Sequence, residues 1–358
     1  MKKYQILKNE SIEYDGHKLY RIKALRNIGT DVKKGDIGGF IESDMNLSRN
    51  DECWVYDSAK VYGDAKVISN ARVCDFAEVC QNAFVSGKAH ILGNCLVYGK
   101  ATISDFAIIN DNVQVFGNAK MLGHSSANDS AEIYDNAMVL DSATVIGKAK
   151  ISGNACLKDN VLIQDNSNIT CKATICDTTI VSEDAVVGGE VVISGKSNIY
   201  GTTFVNGRNY VESSVIKDDA TVTGDVKIYH SVIKQNAQVS GTDYIIVGAI
   251  FGKNACIRSI YDFITIGPFH DFSTSATEKI CTGNYTFYRN FKRTKIYALS
   301  DVKVVDIHPM TYKKYKKILD SLNKDEKPEL YKFYTDMCKL CKFAEKVLNL
   351  PIDQRKFM

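Results

Sequence analysis

The chain has 358 residues, with 45 basic and 42 acidic side chains and a formal charge of +3. So even a balance excludes any partner that overall charge alone would dictate. Four prolines and 24 glycines fit a repetitive sheet with regular bends, and no apolar run approaches the ~20 residues of a membrane span.

Residues 1–52 come first. Their opening run, MKKYQILKNESIEYDG, has no apolar core of the kind a secretory signal needs. Asp15-Gly16, between Ser11–Tyr14 and Lys18–Leu25, is a hairpin signal. The chain beyond residue 52 is a stacked repeat, whose first coil would expose unpaired backbone and an apolar cross-section. The hairpin is the expected cap.

Trp54–Asn209 reads as 26 six-residue units without a gap: KVYGDA, KVISNA, RVCDFA, EVCQNA and so on. The second position is Val, Ile or Leu in all but Met121 and Ala127, and the sixth is Ala in 16 units. Apolar residues four apart within a six-residue period fit neither a strand nor a helix. They fit a short strand and a bend, repeated, with the second residue pointing inward. Gly, Asp, Ser or Asn at positions four and five supply the bend because they tolerate positive φ. The small sixth residue fits an inner corner. Three units make an 18-residue triangular coil, and coils stack at ~4.8 Å. The pattern resembles the hexapeptide-repeat, left-handed parallel β-helix. One detail departs from the acyltransferases of that fold: glycine falls one place later after the aliphatic residue, as in Val61-Tyr62-Gly63.

Beyond Asn209 the register slips, with Tyr210–Ser214 and Lys227–Ser231 one residue short. Residues 53–268 are read as the β-helix and 269–358 as a separate C-terminal region. There Asn284–Leu299 reads as a basic, aromatic hairpin. Thr311–Asn323 and Glu329–Leu350 carry apolar residues at helical spacing. Residues 278–358 hold 18 basic and 10 acidic side chains, so charge concentrates in this tail.

A narrower resemblance rests on YRIKALRNI, GDIGGFIES, NLS and then WVYDSAKVYGDAKV, over Tyr20 to about Val247. These runs resemble the YdcK-like proteins of bacterial and phage genomes, labelled as transferases. The resemblance implies a left-handed β-helix and a bacterial cytoplasmic setting; it implies no catalytic residue. The eleven cysteines scatter through ordinary repeat positions, which also reads as free thiols in a reducing cytosol.

Candidate chemistry is sparse. A hexapeptide acyltransferase needs a histidine base beside a cleft. His90 and His124 fall on the outside of an uninterrupted coil, and His230, at a slip, is the best placed of the three. Cys338-Lys339-Leu340-Cys341 has the C-x-x-C spacing, but Cys281 and His308 form no second half of a zinc site, and Cys341 belongs to a helical stripe. No cofactor or metal is expected. Lys292 and Arg293, among aromatic residues, could meet phosphates. Position three should face outward, so Tyr62, Cys80, Tyr98, Phe116 and Tyr134 should form a ladder up one face. Such a ladder is either an interface or an internal stack. The expectation is a non-catalytic binding or scaffold protein that engages a protein partner, or itself as a dimer or trimer, through Tyr62, Tyr98, Phe116 and Tyr134 or through the tail. A phage-encoded inhibitor of a host defence protein is one form of it. The alternatives are acyl transfer from acyl-coenzyme A and nucleic-acid binding through the tail.

Overall fold

Each six-residue unit contributes one short strand, and units 18 residues apart pair in parallel: Lys60–Val61 with Glu78–Val79, Lys66–Val67 with Phe84–Val85, and Arg72–Val73 with His90–Ile91. The result is an all-β parallel β-helix. It is seen in a computed structural model that describes residues 2–247, 250–252, 256–257, 277–282, 285–290, 293–298 and 312–324, with Tyr331, Thr335 and Cys338. The chain divides into two compact units, Met1–Gly201 and Thr202–Met358.

In the first unit the coil has three faces, named here by an inner residue of each. The Val61 face runs from Lys60–Val61 to Val186–Val187, the Val67 face from Lys66–Val67 to Val192–Ser194, and the Val73 face from Trp54–Val55 to Asn198–Ile199. The second-position residues form the core, Val61, Val67, Val73 and their successors being fully buried. Each such aliphatic side chain contributes ~1.5–3 kcal/mol of burial. The two exceptions to the aliphatic rule, Met121 and Ala127, are consecutive units and both fully buried. A long residue beside a short one keeps the volume of that coil close to its neighbours'.

The corners explain the rest of the repeat. Position four has positive φ in every unit from Asp57 to Gly207, whether Gly, Asp, Ser, Gln, Cys or Glu stands there. Position five donates its N–H to the position-four carbonyl one coil on, as Asn94 does to Asp111 at 2.6 Å. The position-four N–H has no such backbone acceptor. Where the residue one coil back is Asp, its carboxylate takes that hydrogen: Asp75 Oδ2 accepts from Gly93 at 2.8 Å and Asp177 Oδ2 from Gly195 at 2.7 Å. Asp therefore satisfies a backbone donor that would otherwise rely on water. Glycine serves a second need, because a Cβ on Gly93 would stand 2.7 Å from the backbone N of Asp111.

The coil begins earlier than Trp54, where the sequence pattern placed its start. β1 (Tyr4–Tyr14) and β2 (His17–Ala24) form the expected hairpin, with Asp15 and Gly16 both at positive φ in its two-residue turn. β2 pairs antiparallel with β3 (Ile37–Ile41), and β3 pairs in parallel with Lys60–Val61. Ile41 sits opposite Val61, Leu47 opposite Val67, and Val55 opposite Val73. A first coil thus runs through Ile41, Leu47 and Val55, and two extra residues between Leu47 and Val55 break the six-residue count. Gly38 and Gly39 thread against its far side: a Cβ there would lie 2.5 Å from the carbonyl oxygens of Val55 and Ala59 respectively. Tyr4 closes the end, its ring 6.3 Å from that of Trp54 and its hydroxyl donating to the Leu47 carbonyl at 2.8 Å. Lys3, fully buried, donates to the Ser48 carbonyl at 2.6 Å and approaches Cys53 Sγ at 3.3 Å. Burial holds the Lys3 pKa below its usual value and the Cys53 thiol above its own.

In the second unit Phe204 pairs with Thr221 and Tyr210 with Lys227, one residue short of the 18 above. The missing residue is position five. Ser213 and His230 take the positive-φ place, and the buried Ser214 and Ser231 come directly after as position six. Their hydroxyls close the shortened corners, Ser214 Oγ donating to the Glu212 carbonyl at 2.8 Å and Ser231 Oγ to that of Tyr229 at 2.7 Å. Asn209, the one large sixth-position residue, is buried and bridges the Asn206 carbonyl and the Val226 N–H. Three antiparallel strands, Thr277–Thr282, Tyr285–Asn290 and Arg293–Ala298, include the expected hairpin. Helix α1 (Tyr312–Ser321) lies within the first expected helix; most of Glu329–Leu350 lies outside the described residues.

Candidate interaction surface

Position three does face outward, and its aromatic residues stack. Tyr98 and Phe116 are 4.8 Å apart at 8°, and Phe116 and Tyr134 5.0 Å apart at 4°. All three are half-buried. Stacked rings one coil apart cover each other's faces and leave their edges to solvent, so the ladder stiffens the coil whatever else it does. Tyr62 departs from the expectation of an outward position. It is buried, in a cluster with Leu19, Phe40 and Cys80, beneath the hairpin residues Ile12 and Tyr14. The reason is tertiary: β1 and β2 fold over the first coils of this face. The Tyr14 hydroxyl donates to Glu78, which pushes its pKa up to about 12, and Lys60 pairs with the same carboxylate at 3.1 Å.

The other candidates are dispersed. His90 is half-buried on the Val73 face; burial first, and then Arg72, lower its pKa. His124 stacks on Phe106 at 4.6 Å on an exposed corner. His230 is exposed at its tight corner, where its backbone N–H donates to the Glu212 carbonyl at 3.1 Å. No two of these histidines share a site among the described residues. Burial pushes the Cys74 and Cys95 thiols up to about 12, so neither of these two is primed as a nucleophile. Cys338 is buried, whereas Lys292, His308, Cys341 and the side chains of Cys281 and Arg293 lie outside the described residues. No helix among the described residues is long and apolar enough to cross a membrane.

The three faces of the first unit differ in one respect that the sequence reading missed. The outward positions of the Val61 face carry Lys60, Glu78, Glu132 and Lys150, and those of the Val67 face Lys66, Lys120 and Lys158. On the Val73 face, no outward position from Ile108 to Tyr200 is charged. First positions there are Ile108, Ser126, Thr144, Leu162, Ile180 and Asn198; third positions are Asn110, Asn128, Ile146, Gln164, Ser182 and Tyr200. Ile108 and Ile180 are among the most exposed large aliphatics of the described residues, at 42% and 37%. Lysine and glutamate are the residues a solvated face usually carries and an interface core usually lacks. Sorting positions one and three at intervals of three units would have exposed this contrast in the sequence. No family model matches the chain, and no curated protein matches it.

Proposed function

We propose that the protein is a non-catalytic binding protein that engages a protein partner through the uncharged Val73 face of its β-helix. The single observation that carries this reading is that face itself: its outward strand positions are free of charge from Ile108 to Tyr200 and include the exposed Ile108 and Ile180. Parallel strands hold such side chains at fixed spacing with little backbone entropy left to lose, which favours rigid docking. Kinship with the YdcK-like proteins belongs to the same reading and rests on Tyr20–Ile28, Gly35–Ser43 and the first repeats. The aromatic ladder on the Val61 face is a stiffening element in this account.

The test uses Ile108→Glu with Ile180→Glu in the full chain. Both residues point outward, so circular dichroism and the melting temperature should match wild type. Affinity capture from the native host, quantified by mass spectrometry, should show a protein retained by wild type and lost by the double variant. Sedimentation velocity reports the same loss if the partner is a second copy. Identical captured proteins and unchanged sedimentation, with the fold intact, would overturn the proposal.

A further inference from the structure

A cavity of about 370 Å³ lies where the loop carrying Gly29 and Thr30 meets the start of the Val73 face, lined also by Glu52, Asn70, Arg72, Lys88 and His90. That volume is in the range of small-molecule sites. The loop is tied to the face at one point. Asp31 receives a two-pronged contact from Arg72, at 2.7 and 3.0 Å, and a hydrogen bond from the Tyr56 hydroxyl at 2.7 Å. The guanidinium is thereby fixed in position with two of its five N–H donors used. Lys88 projects from the neighbouring corner, its ammonium 5.2 Å from the Phe106 ring centroid, with no ion-pair partner among the described residues. His90 stands beside Arg72, and its pKa, lowered first by burial and then by Arg72, keeps it neutral at pH 7 with one N–H to donate. Asn70, Thr30 and Glu52 make no side-chain hydrogen bond among the described residues.

The chemistry of the lining is lopsided. Arg72, Lys88 and His90 line it with cationic and N–H donors, while Glu52, the one unpaired carboxylate of the lining, accepts only. We propose that this cavity is a binding site for a small hydroxylated phosphate monoester, such as a glycerol or sugar phosphate. The phosphoryl oxygens meet Lys88, the free guanidinium edge of Arg72 and His90, where charge-assisted hydrogen bonds are strongest. The hydroxyl groups donate to Glu52 and exchange hydrogen bonds with Asn70 and Thr30. Glu52 also sets specificity, because the carbon-borne hydroxyls of the ester donate to it away from the phosphoryl group, whereas inorganic phosphate could reach it only by bringing its own charge against the carboxylate. This site stands independently of the uncharged strip, which begins one strand further on at Ile108.

Isothermal titration of the full chain at pH 7 and low salt tests it, with glycerol phosphate, inorganic phosphate and succinate as probes. Glycerol phosphate should bind saturably with one site per chain, inorganic phosphate more weakly, and succinate not at the same concentrations. Lys88→Met should weaken glycerol phosphate binding about tenfold or more, since a hydrogen bond to a charged group is lost. Its melting temperature should hold, because the residue is exposed and methionine keeps the contact with Phe106. Glu52→Gln should narrow the gap between inorganic phosphate and glycerol phosphate, because the carboxylate charge is gone while Asn70 and Thr30 still meet the hydroxyls. Absence of saturable binding by either phosphate, equal binding of succinate, or wild-type affinity in Lys88→Met would overturn the assignment.

Discussion

The corner at Gly93 offers a sharp test of how the coils stack. Gly93 sits at φ +67, and a Cβ there would lie 2.7 Å from both the backbone N and the backbone O of Asp111 on the next coil. Ordinary contacts start about 0.7 Å further out, so Gly93→Ala must push the two coils apart at a corner where Asn94 donates to Asp111 at 2.6 Å. The left-handed conformation costs alanine roughly 1–2 kcal/mol and the overpacking roughly 1–3 kcal/mol, a combined loss of about 2–5 kcal/mol. Asp75, one coil back, supplies the control. It already carries a Cβ at φ +57, and its carboxylate accepts the Gly93 N–H at 2.8 Å. Asp75→Ala therefore removes one exposed hydrogen bond, worth about 0.5–1.5 kcal/mol, and adds no clash, and most of the left-handed cost is already carried by the aspartate's own Cβ. Urea unfolding of the two variants and wild type, followed by circular dichroism, gives the order. Gly93→Ala should lose several times more stability than Asp75→Ala. Equal losses, or the reverse order, would refute the claim that the close approach to Asp111 leaves no room for a side chain at Gly93.

The N-terminal cap yields two further outcomes. Deleting residues 1–24 removes β1 and β2, uncovers Phe40 and Tyr62, and should drive the chain to aggregate; a monodisperse 25–358 fragment on size exclusion would show that the hairpin is dispensable. The pKa of Asp51 is lowered, chiefly by the Ser69 N–H it accepts at 2.9 Å. A depressed carboxylate pKa contributes stability above its unfolded value and loses it as pH falls through the folded one. Melting temperatures between neutral pH and the acid side of the carboxylate range should therefore decline less steeply in Asp51→Asn than in wild type; parallel curves would remove Asp51 from the acid sensitivity.

Much of the coil was legible because each residue's role is set by a short period. Val61, Val67 and Val73 face inward, Ala65 and Ala71 fill corners, and Asp75 and Asp105 bend the chain just as Gly63 and Gly87 do. The stacking of Tyr98 on Phe116 comes out of the same count. The count fails where local rules give way to packing across sequence. Ile41 and Leu47 belong to the coil, but the two residues inserted before Val55 hide them from a six-residue comb. Tyr62 has an outward position and is nevertheless buried, because a hairpin more than forty residues upstream folds onto it. The cavity beside Arg72 depends on Asp31 bringing a loop to the face, a contact that no periodicity encodes. The uncharged Val73 face, by contrast, was present in the sequence and needed only the three-unit sorting.

Everything proposed for the faces depends on which side chains are neighbours, and methyl NOEs in the isoleucine-, leucine- and valine-labelled chain measure that directly. The account predicts cross-peaks from Val97 to Val79 and Val115, one coil away on either side, and from Val222 to Val205 and Val239 across the shorter coils. Absence of those pairs, or cross-peaks spaced at two residues along an extended strand instead, would contradict the stacked coil and the faces built on it.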